Sequence, residues 1–293
     1  MPSSWIAALV GAGLLLTTAP ARAQTAEPES IGGRTLHVFP SSLPYRPYRA
    51  DPRTPEFGLL YLAYPDARIA DSGSRRTGLK LGGRFGLLKL HPRDRPEDGW
   101  QLDIEAGFIG QFDIEHSLDN IGWDGTYAFL VSHAFNPGLA IQVGTKHVSS
   151  HVGDEYAERT GRRRVDYTRE EATAGVSWTI DKRRRTYAEA GWGYANKDEI
   201  GQKPGRLQVG FEYQEPGEFR VPGGRLGWYA ASNVEAMEEQ DWEPDLAVQA
   251  GLLVPSGDRR WRVGIGYYTG RVPLGEFFQE EEDHFTFGLW LEP

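Results

Sequence analysis

From Thr54 onward the chain alternates apolar and polar residues with a period of two, the spacing of a strand with two unlike faces. In "LKLGGRFGLLK", Leu79, Leu81, Phe85 and Leu87 share one face while Lys80 and Arg84 share the other. In "QLDIEAGFIGQFD", Leu102, Ile104, Ala106, Phe108 and Phe112 oppose Asp103, Glu105, Gln111 and Asp113. The same pattern recurs in "RLQVGFEYQ", "RWRVGIGYY" and "HFTFGLWL". About twelve such segments follow one another, near 54–64, 78–90, 100–114, 122–134, 138–149, 165–180, 185–195, 205–215, 224–236, 245–254, 260–270 and 283–292. An even number of antiparallel strands predicts an all-β fold: a closed antiparallel transmembrane β-barrel spanning 54–293.

The polar faces carry charges of both signs and many glycines, which predicts a narrow, salt-bridged interior. Aromatics at segment ends (Trp123, Trp178, Trp192, Tyr213, Trp228, Trp261) suit interfacial girdles. A soluble sandwich or lipocalin-like barrel also alternates, but turns its apolar face inward and uses fewer long strands. Hydrophobic residues make up 39 % of the 293. No long apolar run follows the N-terminus, which excludes a helical membrane protein but not a barrel. The net charge is −9 and no basic face marks a nucleic-acid partner. With no cysteine, disulfides and thiolate sites are excluded.

The N-terminal "WIAALVGAGLLLTTAPARAQ" ends in Ala21-Arg22-Ala23, a small-x-small cleavage pattern. It predicts a signal peptide over 1–23, a mature chain from Gln24 and export to the bacterial outer membrane. The absence of Lys and Arg before the apolar stretch departs from the usual pattern, and an uncleaved membrane anchor is the other reading. Residues 24–53, rich in Pro, Ser and Arg, have no period and read as a periplasmic segment ordered in part against the barrel floor. Short turns at Asn136–Gly138, Asp181–Arg183 and Ser256–Asp258 alternate with long loops at 65–77, 150–164 and 271–282, the asymmetry of transmembrane barrels. His91–Asp98 is an exception, long for a periplasmic turn.

"VGTKHVSSHVGDEY" continues the apolar face of Leu139, Ile141 and Val143 into Thr145, His147 and Ser149. Residues two apart on one face lie roughly 7 Å apart, within reach of an imidazole–hydroxyl contact. On the neighbouring "VDYTREEATAGVSWTI", Asp166, Thr168 and Glu170 share the face of Ala172, Val176 and Trp178. The pattern suggests ester cleavage at the outer wall: Ser149 as nucleophile, His147 as general base then acid, and Asp166 or Glu170 holding the imidazole. The substrate class is an acyl ester of an outer-leaflet lipid, phospholipid or lipopolysaccharide. Amides near Gly153, or a calcium ion on Asp154 and Glu155, are candidates for the oxyanion partner. A metal site from His147, His151, Asp154 and Glu155 is a further reading. The alternative to an enzyme is a non-enzymatic barrel: a small pore, a transporter or a structural protein. Expected partners are membrane lipids and the outer-membrane assembly machinery, with a homodimer left open.

At "RADPRTPEF", "WQLDIEAGFIGQFD", "HVSSHVGDEY" and "RVDYTREE" the chain resembles an uncharacterised family of bacterial outer-membrane proteins, a domain of unknown function. The likeness runs from about Pro40 to the end, and implies an outer-membrane barrel without an assigned activity. More narrowly, the His-x-Ser strand looks like that of the outer-membrane phospholipase A family and is similar to the lipid A deacylases. That resemblance implies His147 as the family histidine and Ser149 as the nucleophile. The third member is Asn in the phospholipases and Glu in one deacylase group, so Asp166 or Glu170 would serve here. It also implies twelve strands and calcium. The phospholipase signature after the serine is replaced by Ser150-His151-Val152, and the chain ends Leu-Glu-Pro rather than in an aromatic residue.

Overall fold

A computed structural model describes residues 29–292 except 137, 218, 223 and 258. The cleavage site expected at residues 21–23 therefore lies outside the described residues. A short hairpin, β1 (Glu29–Ile31) and β2 (Arg34–Val38), precedes β3 (Phe57–Ala63), β4 (Arg75–Pro92), β5 (Gly99–Asp113), β6 (Asp119–Ala134) and β7 (Leu139–Val152). Helix α1 (Asp154–Thr160) leads to β8 (Thr168–Thr179), β9 (Arg184–Ala195) and β10 (Gly205–Glu215). A small hairpin, β11 (Arg220–Val221) and β12 (Gly224–Arg225), lies before β13 (Gly227–Met237), β14 (Pro244–Ser256), β15 (Arg259–Arg271) and β16 (Glu281–Glu292).

Strands β3–β10 and β13–β16 pair antiparallel with their neighbours, and β16 returns to β3 with Leu289 opposite Leu59. The result is a closed twelve-stranded barrel. Because β3 is short, β2 pairs with the part of β4 that β3 leaves uncovered, Val38 lying opposite Leu88. The expected turn Asp181–Arg183 connects β8 to β9. The turns at 136–138 and 256–258 each include one residue outside the described set.

Strand parity places the alternating residues as a membrane barrel requires. Leu59, Phe85, Phe129, Val143, Val209, Ile265 and Phe287 point outward and are exposed. Trp178 and Trp228 flank this band at the short-turn end, and Trp192 and Tyr194 at the long-loop end. The opposite faces meet inside. Arg206 bonds Glu171 at 2.7 Å, Glu189 at 2.6 Å and Glu235 at 3.3 Å. Lys146 adds a bond to Glu189 at 2.7 Å, and Arg271 bonds Glu235 at 2.8 Å and Glu239 at 3.0 Å. Buried pairs like these add little net stability over an apolar core, but each charge depends on its partners.

Residues 40–53, part of the segment expected against the barrel floor, and 54–56, expected to open the first strand, run inside the barrel. Tyr48 donates to Glu189 at 2.9 Å, Arg49 bonds Glu292 at 2.7 Å, and Arg53 pairs with Glu235. Glu56 holds Lys80 at 2.8 Å and pairs with Arg262. Ala50 packs with Tyr229, Ala231, Ala247, Leu253 and Tyr268. Gly175 makes room for this plug: a Cβ there would sit 2.4 Å from the Tyr45 hydroxyl oxygen. The plug satisfies lumen charges that would otherwise face an open channel.

The long-loop end is closed by apolar packing. Residues 271–278 are all buried, although they connect two strands. Val272, Leu274 and Phe277 form a cluster with Ile69, Ile121, Val152 and Tyr156 of α1. The buried Glu276 carboxylate accepts the amides of Val165 at 2.6 Å, Asp166 at 2.7 Å and Tyr167 at 3.2 Å. These three amides are thus taken from the sheet, so the segment expected over 165–180 becomes a strand only from Thr168.

Candidate functional site

On β7 the parity carries through to its end. Gln142 and Ser150 point inward and are buried, while His147, Ser149 and His151 follow Leu139, Ile141 and Val143 on the outer wall. Ser150 donates to Asp124 and accepts the Glu276 amide at 2.8 Å, so it is a structural hydroxyl of the interior.

Register puts His147 directly between two neighbours: Tyr127 on β6 and Glu170 on β8. Tyr127 stacks on the imidazole at 4.5 Å between centroids, and Glu170 Oε1 lies 2.5 Å from His147 Nδ1. Tyr194 reaches the second oxygen of Glu170 at 3.4 Å, and its hydroxyl shares a 2.7 Å bond with Thr145. Glu170 sits eight residues from Trp178 along β8, about 26 Å of strand and roughly 20 Å of height at a usual barrel tilt. The cluster therefore lies at the upper edge of the apolar band, level with the Trp192 and Tyr194 aromatics.

Of the two acids expected to serve His147, only Glu170 does so. Asp166 is on the loop, in a left-handed backbone conformation (φ 61°). Its carboxylate bonds Lys197 at 2.7 Å and Arg164 at 3.3 Å, next to His151 rather than His147. The Lys197 ammonium holds that carboxyl below the usual range, so it is a settled rim charge.

Ser149 Oγ is hydrogen-bonded to His151 Nε2 at 3.3 Å, and no bond joins it to His147. The partners fix the tautomers. A carboxylate only accepts, so His147 Nδ1 carries a proton, and in the neutral ring Nε2 keeps the lone pair. Arg164 only donates, at 3.0 Å to His151 Nδ1, so the neutral His151 carries its proton on Nε2. His151 therefore donates to Ser149 and cannot take its proton, whereas His147 has a basic nitrogen available. Ser149 and His147 share the outer face two residues apart, and catalytic contacts are often loose without substrate.

The other candidates fare differently. The Gly153 amide donates to the Ile121 carbonyl at 3.0 Å and is not available to an oxyanion. Asp154 and Glu155 are exposed on the first turn of α1. Among the described residues no three His, Asp or Glu side chains come together as a metal-binding group. Thr145 was read on the same face, whereas Tyr127, Tyr194 and Arg164 were not expected at the site. Their signal is cross-strand register, which alternation alone does not supply.

A closed twelve-stranded barrel with an apolar outer band and a charged, filled lumen is an outer-membrane type of β-barrel. The chain belongs to the family described as "Protein of unknown function (DUF1207)", whose model matches residues 24–292. Among solved structures it is similar to outer membrane phospholipase A from Escherichia coli, with a TM-score of 0.58 and 11 % identity, over 81 % of this chain and 90 % of that one. That likeness concerns the fold. No curated protein matches the chain.

Proposed function

We propose that this protein is an outer-membrane hydrolase of acyl esters in outer-leaflet lipids, with Ser149 as nucleophile, His147 as general base and Glu170 as its orienting acid. The observation that carries the reading is the 2.5 Å contact between His147 Nδ1 and Glu170 on the outer wall, with Ser149 next along the same face. A lipid ester arriving by lateral diffusion meets the site at carbonyl height. His147 Nε2 takes the serine proton as Oγ attacks, and Glu170 stabilises the imidazolium that results. The proton then passes to the departing alcohol, and water cleaves the acyl-enzyme by the same route. His151 Nε2–H, held by Arg164, hydrogen-bonds Ser149 and supplies the oxyanion contact.

The experiment is fatty-acid release by the purified protein from mixed vesicles of phospholipid and lipopolysaccharide. Equal release by a Ser149→Ala variant removes the reading. In the same assay Glu170→Gln lowers kcat by about 10²–10⁴-fold, because a neutral amide no longer fixes the tautomer or balances the imidazolium. His151→Phe costs about 10²–10³-fold in kcat with little change in KM. Asp166→Asn stays within about twofold, since a rim ion pair is worth little. A loss at Asp166 matching that at Glu170 contradicts the assignment.

The non-enzymatic alternative has one observation on its side: Ser149 bonds His151 and not His147. In its pore form it conflicts with a lumen filled by residues 40–56 and capped by 271–278. Planar bilayers containing the protein are expected to show no stable open-channel current. A steady conductance from the intact chain favours the pore.

A further inference from the structure

We propose that the short-turn end of the barrel holds a binding pocket for a multiply charged phosphate-type anion, separate from the outer-wall site. A cavity of about 330 Å³ lies between the plug, the β8–β9 turn and the lower part of β4. Its volume corresponds to roughly ten waters, enough for a phosphorylated group.

Its charges are unbalanced. Lys89 lines the cavity and is only 7 % exposed; among the described residues its ammonium hydrogen-bonds the Ser42 hydroxyl at 3.3 Å, and Glu97 and Asp98 attract it from beyond ion-pair distance. A buried ammonium with no carboxylate in contact is costly. Arg46, on the plug, and Lys182, on the turn, also line the cavity, and among the described residues neither has a carboxylate in ion-pair contact, Glu212 and Glu292 acting on Arg46 from farther away. The carboxylates nearby are already engaged. Glu212 serves Arg185 at 3.2 Å and the Arg49 amide at 3.0 Å, and Asp181 serves Arg184 at 2.6 Å. The remaining lining acid, Glu97, is exposed.

Three cations of two kinds that line one concavity without a carboxylate in ion-pair contact fit a ligand with several anionic oxygens. An arginine fork and two ammonium groups match phosphate oxygens at different angles. The plug closes the inner wall, so the anion enters from the short-turn side. Its source is either a free phosphorylated solute or the headgroup of a lipid reaching round the rim.

The test is calorimetric titration of the full-length, detergent-solubilised protein with inorganic pyrophosphate at constant ionic strength. Saturable binding is expected, weakened at least about tenfold by Lys89→Gln and by Arg46→Gln. Arg164→Gln, at the opposite end, is expected to leave it unchanged. Should Lys89→Gln fail to fold, Arg46→Gln on the half-buried plug carries the comparison. A second arm adds vesicles of anionic phospholipid: displacement of pyrophosphate identifies a lipid headgroup as the source, and no displacement identifies a free anion. Absence of saturable pyrophosphate binding, or equal affinity in the Arg46→Gln variant, overturns the proposal.

Discussion

Ser149→Ala is expected to lower fatty-acid release by at least about a thousandfold, with substrate binding little altered. Oγ forms the covalent bond in the proposed step, and the adjacent serine hydroxyl cannot replace it. Ser150 faces the interior and is committed to Asp124 and the Glu276 amide. His147→Ala should cause a loss of similar size, because serine without a base stays protonated. The double variant should be no worse than either single one, since both remove the same step. Additive losses would mean that the two side chains act separately, and the triad assignment would then fail. Release measured over several hours by mass spectrometry of free fatty acids gives the range needed.

The second large effect concerns the lumen. Arg206→Met leaves Glu171, Glu189 and Glu235 short of a cation they share. Breaking a buried pair by removing one partner costs about 3–5 kcal/mol. That corresponds to a fall of about 6–20 °C in the unfolding midpoint for a domain of this size. Arg183→Gln removes an arginine–glutamate contact of 3.0 Å that is largely exposed. Its expected effect is below about 1 kcal/mol, as for other surface pairs. Heat-modified migration in detergent distinguishes the two. Equal midpoints for Arg206→Met and the parent protein would show that the interior charges are well hydrated and that the lumen is not filled as described.

The barrel was legible because each of its strands has to solve the same local problem, apolar groups out and charges in, and alternation records that residue by residue. The plug was not. Tyr48 meets Glu189 and Arg49 meets Glu292 across separations of 141 and 243 residues, and no local period encodes such contacts. A hint was present at "VPLGEFF": a run this apolar between two strands needs a place to hide, and it caps the barrel. At the site, the outward face of His147, Ser149 and Glu170 followed from parity. The choice between Asp166 and Glu170 did not, because it depends on where β8 begins, and a distant carboxylate at Glu276 decides that. The pairing of Ser149 with His151 has the same two-residue spacing as Ser149 with His147. Spacing cannot separate them, whereas the opposite partners of the two imidazoles do.

The central claim is that Ser149 is a nucleophile activated on the outer wall. Incubating the detergent-solubilised protein with a long-chain alkyl fluorophosphonate and mapping the adduct by peptide mass spectrometry tests it directly. A single phosphonyl serine at position 149 is expected, absent when His147 is replaced by alanine. An unlabelled Ser149, or labelling that persists without His147, would contradict it.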